Sequence, residues 1–87
     1  MGKTRKKALL LFQSVHEVLA AERHLQEVIP EIDVVPVPKE LSSNCGVALE
    51  VVPERLKATI ELLKREGLKP QAVFAKLGNE YFMSEGN

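Results

Sequence analysis

The chain has 87 residues, and its 12 Lys and Arg balance its 12 Asp and Glu, so the formal net charge is zero. A neutral chain argues against a dedicated nucleic-acid binder, which carries an excess of cations to neutralise phosphates. No segment approaches the roughly 20 apolar residues of a membrane-spanning helix, and no signal-peptide core is present. We therefore expect one cytoplasmic domain without nucleic-acid or membrane partners, made of a basic lead-in (1–6), a folded core (7–77) and an irregular tail (78–87).

A short apolar run and a capping box indicate the first strand and the first helix. Residues 7–12 read Lys-Ala-Leu-Leu-Leu-Phe, which is typical of a buried central strand. The Ser14 hydroxyl can then accept from the Glu17 amide, and the Glu17 carboxylate can accept from the Ser14 amide. Apolar residues recur at helical spacing as far as Pro30, so we predict a helix between Ser14 and Pro30.

The rest of the chain predicts two more strands, a second helix and a last strand. Residues 32–37 predict a strand, and Pro36 confines it to a sheet edge because proline cannot donate to the ladder. The elements that follow are a polar loop (39–44), a half-buried strand (47–51), a helix from Pro53 to Gly67 and a strand (71–77).

This order of elements predicts an α+β fold, the ferredoxin-like βαββαβ two-layer sandwich. Its four-stranded sheet carries both helices on one face, and its first and third strands are central. Since a helix connects the first two strands, they run parallel. The loop between the second and third strands then lies at the same end of the sheet as the start of the first helix, which predicts that Cys45 lies near Ser14 and His16.

Cys45, the single cysteine, is the strongest candidate for chemistry. The thiolate is the reactive form of cysteine, and helix N-termini, cations and hydrogen-bond donors favour it. Ser42, Ser43 and the amides around Gly46 can donate to the sulfur, and Gly46 leaves one side of it unshielded. The alternative is a structural cysteine at the head of the third strand.

Beyond Cys45 and its neighbours, the sequence offers His16 as a further candidate and no metal or cofactor motif. His16 is either a base or hydrogen-bond partner for Cys45 or an ordinary exposed residue of the first helical turn. One Cys and two His without close spacing are too few for a metal site. We see no Gly-rich phosphate loop, nucleophile elbow or carboxylate pair, so we expect neither a metal nor a cofactor.

Two stretches of the chain carry a family resemblance. Residues 10–16 contain Leu-Leu-Phe-Gln-Ser and a histidine, and residues 36–49 read Pro-Val-Pro-Lys-Glu-Leu-Ser-Ser-Asn-Cys-Gly-Val-Ala-Leu. With these motifs the region from Ala8 to about Leu77 resembles the selenium/sulfur (Se/S) carrier protein-like family of small prokaryotic proteins. The resemblance implies that Cys45 carries sulfur or selenium.

Our leading hypothesis is therefore a carrier rather than a turnover enzyme, with donor and acceptor proteins as its partners. Two other classes stay open. One is a non-catalytic ferredoxin-like interaction or dimerisation module, since fold alone does not choose a function. The other is a thiol redox sensor, in which Cys45 forms a sulfenic acid or a mixed disulfide. We also expect a homodimer through the sheet face that the helices leave uncovered, because the first strand is apolar on both faces. The alternative is that Tyr81 and Phe82 of the tail cover this face.

Overall fold

The computed structural model describes residues 6–41 and 46–83. In these ranges the chain forms five strands, two α-helices and a short 3-10 turn, Pro53–Arg55, that leads into the second helix. The strands are β1 (Lys6–Leu11), β2 (Asp33–Pro36), β3 (Val47–Val51), β4 (Ala72–Leu77) and β5 (Glu80–Met83), and the helices are α1 (Val15–Leu25) and α2 (Leu56–Arg65).

The strands form one antiparallel sheet in the order β2-β3-β1-β4-β5. Leu10 lies opposite Leu49 of β3 on one side and opposite Val73 of β4 on the other, so β1 is central. The α+β class, the central β1 and β3 and the edge position of Pro36 are confirmed. The order of the first four strands is compatible with the ferredoxin-like interpretation.

The expected strand count of four is wrong, and residues 80–83 of the segment that we expected to be irregular form a strand. Gly78 has a φ of +64°, and Asn79, like every other described non-glycine residue, has a negative φ, so Gly78-Asn79 is a two-residue turn with glycine at its first position. This turn, of the type II′ kind, matches the right-handed twist of a hairpin. It pairs Leu77 with Glu80, and the hairpin adds β5 to the edge beside β4.

Both helices pack on one face of the sheet. The core residues on this face come from β1, β3, the two helices and the segments that follow β1 and α1. They are almost completely shielded from solvent: Ala8, Leu10, Phe12, Val18, Ala21, Leu25, Ile29, Ile32, Leu49, Val51 and Leu63. Thr59 is also buried, and its hydroxyl donates to the Arg55 carbonyl (2.7 Å), which satisfies its polar atom inside α2. We call this side of the sheet the helix face.

The opposite side, which we call the open face, carries a smaller apolar cluster. Leu9, Leu11 and Ala48 form its centre, and they are 0–2% exposed within a single chain. The residues packed around this centre come from both edges of the sheet and from the segment after β2: Val35, Val37, Leu41, Ala72, Phe74 and Tyr81. As expected, the apolar side chains of β1 point alternately to the two faces of the sheet. Residues of the same chain surround the cluster on the open face.

None of the helices in the described part of the chain is long and apolar enough to cross a membrane.

Candidate functional site

Four strands and the first helix meet at one end of the sheet, which we call the α1 end. There β1 and β2 finish, β3 and β4 begin, and α1 starts directly after β1. Two backbone hydrogen bonds fix this end: the Gln71 amide donates to the Leu11 carbonyl (2.6 Å), and the Val37 amide donates to the Gly46 carbonyl (3.0 Å). The connections before β3 and before β4 are thus tied to the ends of neighbouring strands.

Gly46 occupies a backbone conformation that suits glycine. Its φ is +74°, and a Cβ built on it meets no atom of the described residues, its two chain neighbours aside, within 4 Å. That Gly46 leaves one side of the Cys45 sulfur unshielded stays a prediction. Gly46 directly precedes β3, which begins at the α1 end of the sheet.

Ser14 is the N-cap of α1, as the capping box predicts. Its hydroxyl accepts from the Glu17 amide (3.3 Å). The Glu17 carboxylate, however, accepts from the Gln13 amide (3.2 Å) instead of the predicted Ser14 amide. The extended Ser14 backbone (φ −147°) places the Gln13 amide, one residue further out, within reach of the carboxylate. The first turn of α1 is held from both sides, and its side chains keep a fixed direction.

His16 lies in the first turn of α1 and is exposed. An imidazole at this position is open to solvent and to a partner. Its hydrogen bond to Cys45 stays a prediction, because Cys45 lies outside the described residues.

Cys45, Ser42 and Ser43 lie outside the described residues. Their closeness to Ser14 and His16 therefore stays a prediction. The residues on either side of this segment are described: Gly46 lies at the α1 end, and Leu41 packs against the apolar cluster of the open face. The Leu41 amide also donates to the Pro38 carbonyl (3.0 Å), which closes a turn before the segment begins.

The anchoring role of Leu41 was missed in the sequence, where residues 39–44 indicated only a polar loop. The available signal was a single leucine between charged and hydroxyl-bearing neighbours. Such a residue is exposed unless the segment folds back onto an apolar surface, and Leu9, Leu11 and Ala48 supply that surface here.

Two lysines, Lys39 and Lys69, are exposed and could add positive charge at this end. They take part in none of the ion pairs between described residues. Those pairs are His24–Glu66 (3.7 Å), Arg55–Glu31 (3.9 Å) and Lys76–Glu50 (4.0 Å). No group of three or more His, Cys, Asp or Glu able to hold a metal ion occurs among residues 6–41 and 46–83.

A cleft of about 230 Å³ lies away from the α1 end. Its lining residues come from the start of β1 and from the turn before α2: Lys6, Lys7, Val52, Pro53 and Glu54. It therefore belongs to the opposite end of the sheet and contains none of the predicted site residues.

The chain was compared with protein families, curated proteins and solved structures. The family model described as "Putative Se/S carrier protein-like" matches residues 7–75. The matched range begins in β1, includes Ser14, His16, Cys45 and Gly46, and ends within β4, before β5. No curated protein and no solved structure matches the chain. Because the match covers most of the 87 residues, the chain belongs to the Se/S carrier protein-like family.

Proposed function

We propose that the protein carries sulfur or selenium on the thiolate of Cys45, between a donor protein and an acceptor protein. The observation that carries this proposal is the family match, which contains the single thiol of the chain. A terminal sulfur or selenium atom must be bonded to a group that can both attack and leave. A cysteine thiolate does both, whereas the thioether sulfur of methionine cannot be released as an anion.

The proposed loading step is a thiol exchange that needs no outside oxidant. The Cys45 thiolate attacks the terminal sulfur of a donor persulfide and forms a new S–S bond. The S–S bond within the donor breaks, and the donor cysteine leaves as a thiolate. Delivery is the same reaction with Cys45 as the leaving group. For selenium the transferred atom is the terminal selenium of a donor selenosulfide, and the bonds formed and broken correspond.

Described residues at the α1 end support this chemistry. The capped first turn of α1 presents the positive end of the helix dipole, which favours a nearby anion. The open space at Gly46 allows a partner sulfur to approach its neighbour in the chain. We propose Ser42, Ser43 and His16 as further hydrogen-bond partners of the anion. The carrier belongs in a reducing compartment such as the cytoplasm, where a free thiol persists.

The test is direct loading. The purified protein is incubated with a cysteine desulfurase and cysteine, and the intact protein is weighed by mass spectrometry. We expect the wild-type chain to gain the mass of one or more sulfur atoms and to lose it on reduction. Cys45→Ser, the matched control, gains nothing because its hydroxyl is not a nucleophile for sulfane sulfur.

Absence of added mass on the wild-type chain under conditions that load a known thiol acceptor would contradict the carrier proposal. If Cys45 instead reacts selectively with peroxide, the redox-sensor class is favoured. If neither reaction occurs and alkylation is slow, Cys45 is a packing residue and the protein is an interaction module.

A further inference from the structure

The outer edge of β5 offers backbone groups to another strand. Leu77 and Glu80 close a two-residue turn, so they form a hydrogen-bonded pair, and Ala75 and Phe82 form the next one. The amides and carbonyls of Tyr81 and Met83 therefore point away from β4. No backbone hydrogen bond outside the β4–β5 ladder uses them within residues 6–41 and 46–83. An edge of this kind is a template for strand addition.

The other edge of the sheet is protected. The Val37 amide bonds to the Gly46 carbonyl, so the alternation of the ladder turns the backbone groups of Val34 and Pro36 outward. Pro36 has no amide proton to offer, and the charged Asp33 begins the strand. Proline and charge are the usual devices against strand addition. β5 also begins with a charged residue, Glu80, but residues 81–83 contain neither proline nor a charge.

Exposed apolar side chains accompany the open edge of β5. Phe82 is 49% exposed on the helix face, and Met83 is 66% exposed on the open face. Leu77, on the helix face next to the turn, is also exposed. A second strand laid against β5 would cover apolar surface on both sides of the sheet at once.

We propose that β5 pairs with β5 of a second copy of the chain, antiparallel about a two-fold axis at Phe82, to give a continuous ten-stranded sheet. In this register Tyr81 of each copy lies opposite the partner copy's Met83. The four outward groups of each strand then meet in two hydrogen-bonded pairs. The two Phe82 side chains face each other as a non-hydrogen-bonded pair, in which side chains approach closest. The backbone groups of the β5 edge thus pair with the same edge of the second copy, and a two-fold interface requires such self-complementarity.

The charge of the chain does not oppose this association, because its formal net charge is zero. The dimer proposed here is independent of the chemistry at Cys45. It also differs from a dimer through the open face, where Leu9 and Leu11 are already buried within one chain.

The register is tested by engineered disulfides in a Cys45→Ser background, so that no other thiol competes. Facing non-hydrogen-bonded residues have Cα atoms about 4.5 Å apart, within the range of a disulfide. Phe82→Cys should therefore cross-link quantitatively to a covalent dimer under mild oxidation. Met83→Cys is the matched control, because diagonal neighbours are about 7–8 Å apart and cannot be bridged without backbone movement.

Light scattering and sedimentation of the wild-type chain give the second readout, with a dimer as the expected result. Phe82→Lys should shift the mass to that of a monomer without changing the circular dichroism, whereas Val28→Lys, which removes an exposed apolar residue beside α1, should leave the dimer intact. Three results would overturn the proposal: a monomeric wild type, equal cross-linking by the two cysteine variants, or a dimer that persists in Phe82→Lys. A wild-type monomer that binds a strand-forming peptide would assign the edge to a different partner and overturn it equally.

Discussion

A substitution at Gly46 can have two effects: it changes the energy of the backbone conformation, and it adds a side chain next to Cys45. A left-handed φ costs a non-glycine residue about 1–2 kcal/mol, and a methyl group at Gly46 meets no neighbour within 4 Å. Gly67, after α2, has nearly the same φ (+75°) and the same open surroundings. The two glycines are therefore a matched pair.

We predict that Gly46→Ala and Gly67→Ala lower the free energy of unfolding by similar amounts, about 1–2 kcal/mol each, in urea titrations. Only Gly46→Ala should also slow iodoacetamide alkylation of Cys45 and its loading with sulfur, since only its methyl group is adjacent to the reacting residue. Equal alkylation rates in the two variants would show that the open space at Gly46 has no part in access to the thiol.

At the level of elements, the start of α1 is the structure that the proposed chemistry depends on. Ser14 accepts from the Glu17 amide, and aspartate or asparagine at the same position can also cap a helix. Ser14→Asp therefore keeps the helix start and adds a negative charge to it. Ser14→Asn keeps the helix start without the charge, and it is the control.

We predict that Ser14→Asp raises the pKa of the Cys45 thiol, because a nearby carboxylate disfavours the thiolate. The pH dependence of alkylation should shift upwards, and alkylation at neutral pH should slow several-fold, while Ser14→Asn stays close to wild type. Thermal unfolding checks that both variants keep the fold. An unchanged pH profile in Ser14→Asp would place Cys45 away from the start of α1.

The periodicity of the sequence was enough to predict β1, α1, β3, α2 and β4, but it overestimated the buried stripe of α1. Val18 and Leu25 are buried as expected, whereas Val15 and Leu19 are more than 40% exposed. The helix contacts β3, β2 and α2, and side-chain spacing cannot show where those contacts end. Apolar residues at helical spacing mark a face wider than the surface that the sheet covers.

Two features were harder to predict, each for a physical reason: the fifth strand, and the packing of Leu41 next to the candidate site. The four residues of β5 are too few for a periodicity, so only the Gly78-Asn79 turn between two strand-forming runs signalled the hairpin. Leu41 is partly buried and packs against residues that are distant in sequence, which no local pattern contains. For Cys45 the sequence predicts the chemistry and the order of elements predicts the end of the sheet, and both stay predictions.

The molecule as a whole is a sheet with two unequal apolar sides. The helix face holds the larger core, and the open face holds a cluster centred on Leu9, Leu11 and Ala48. The cluster is bordered from one direction by Leu41, just before the segment with Cys45, and from the other by Tyr81 of β5. The partly buried Glu50–Lys76 pair (4.0 Å) crosses the same face. The hairpin at one edge and the candidate site near the other edge thus share one packed surface.

Tyr81 and Phe82 are neighbours in β5 with different roles, because successive side chains of a strand point to opposite faces. Tyr81 is half-buried and packs on the open-face cluster, whereas Phe82 is 49% exposed on the helix face. Truncating Tyr81 removes packing within one chain. Truncating Phe82 removes the contact at the proposed two-fold axis.

We predict that Tyr81→Ala lowers the free energy of unfolding by about 1–3 kcal/mol at every protein concentration, a part of the cost of removing a fully buried aromatic side chain. Phe82→Ala should lower the stability mainly at high concentration, because association stabilises the folded state by mass action. Urea titrations over a hundred-fold range of protein concentration separate the two effects. Tyr81→Ala with wild-type stability would mean that β5 does not support the open-face cluster, and a concentration-independent loss in Phe82→Ala would give Phe82 a role within the single chain.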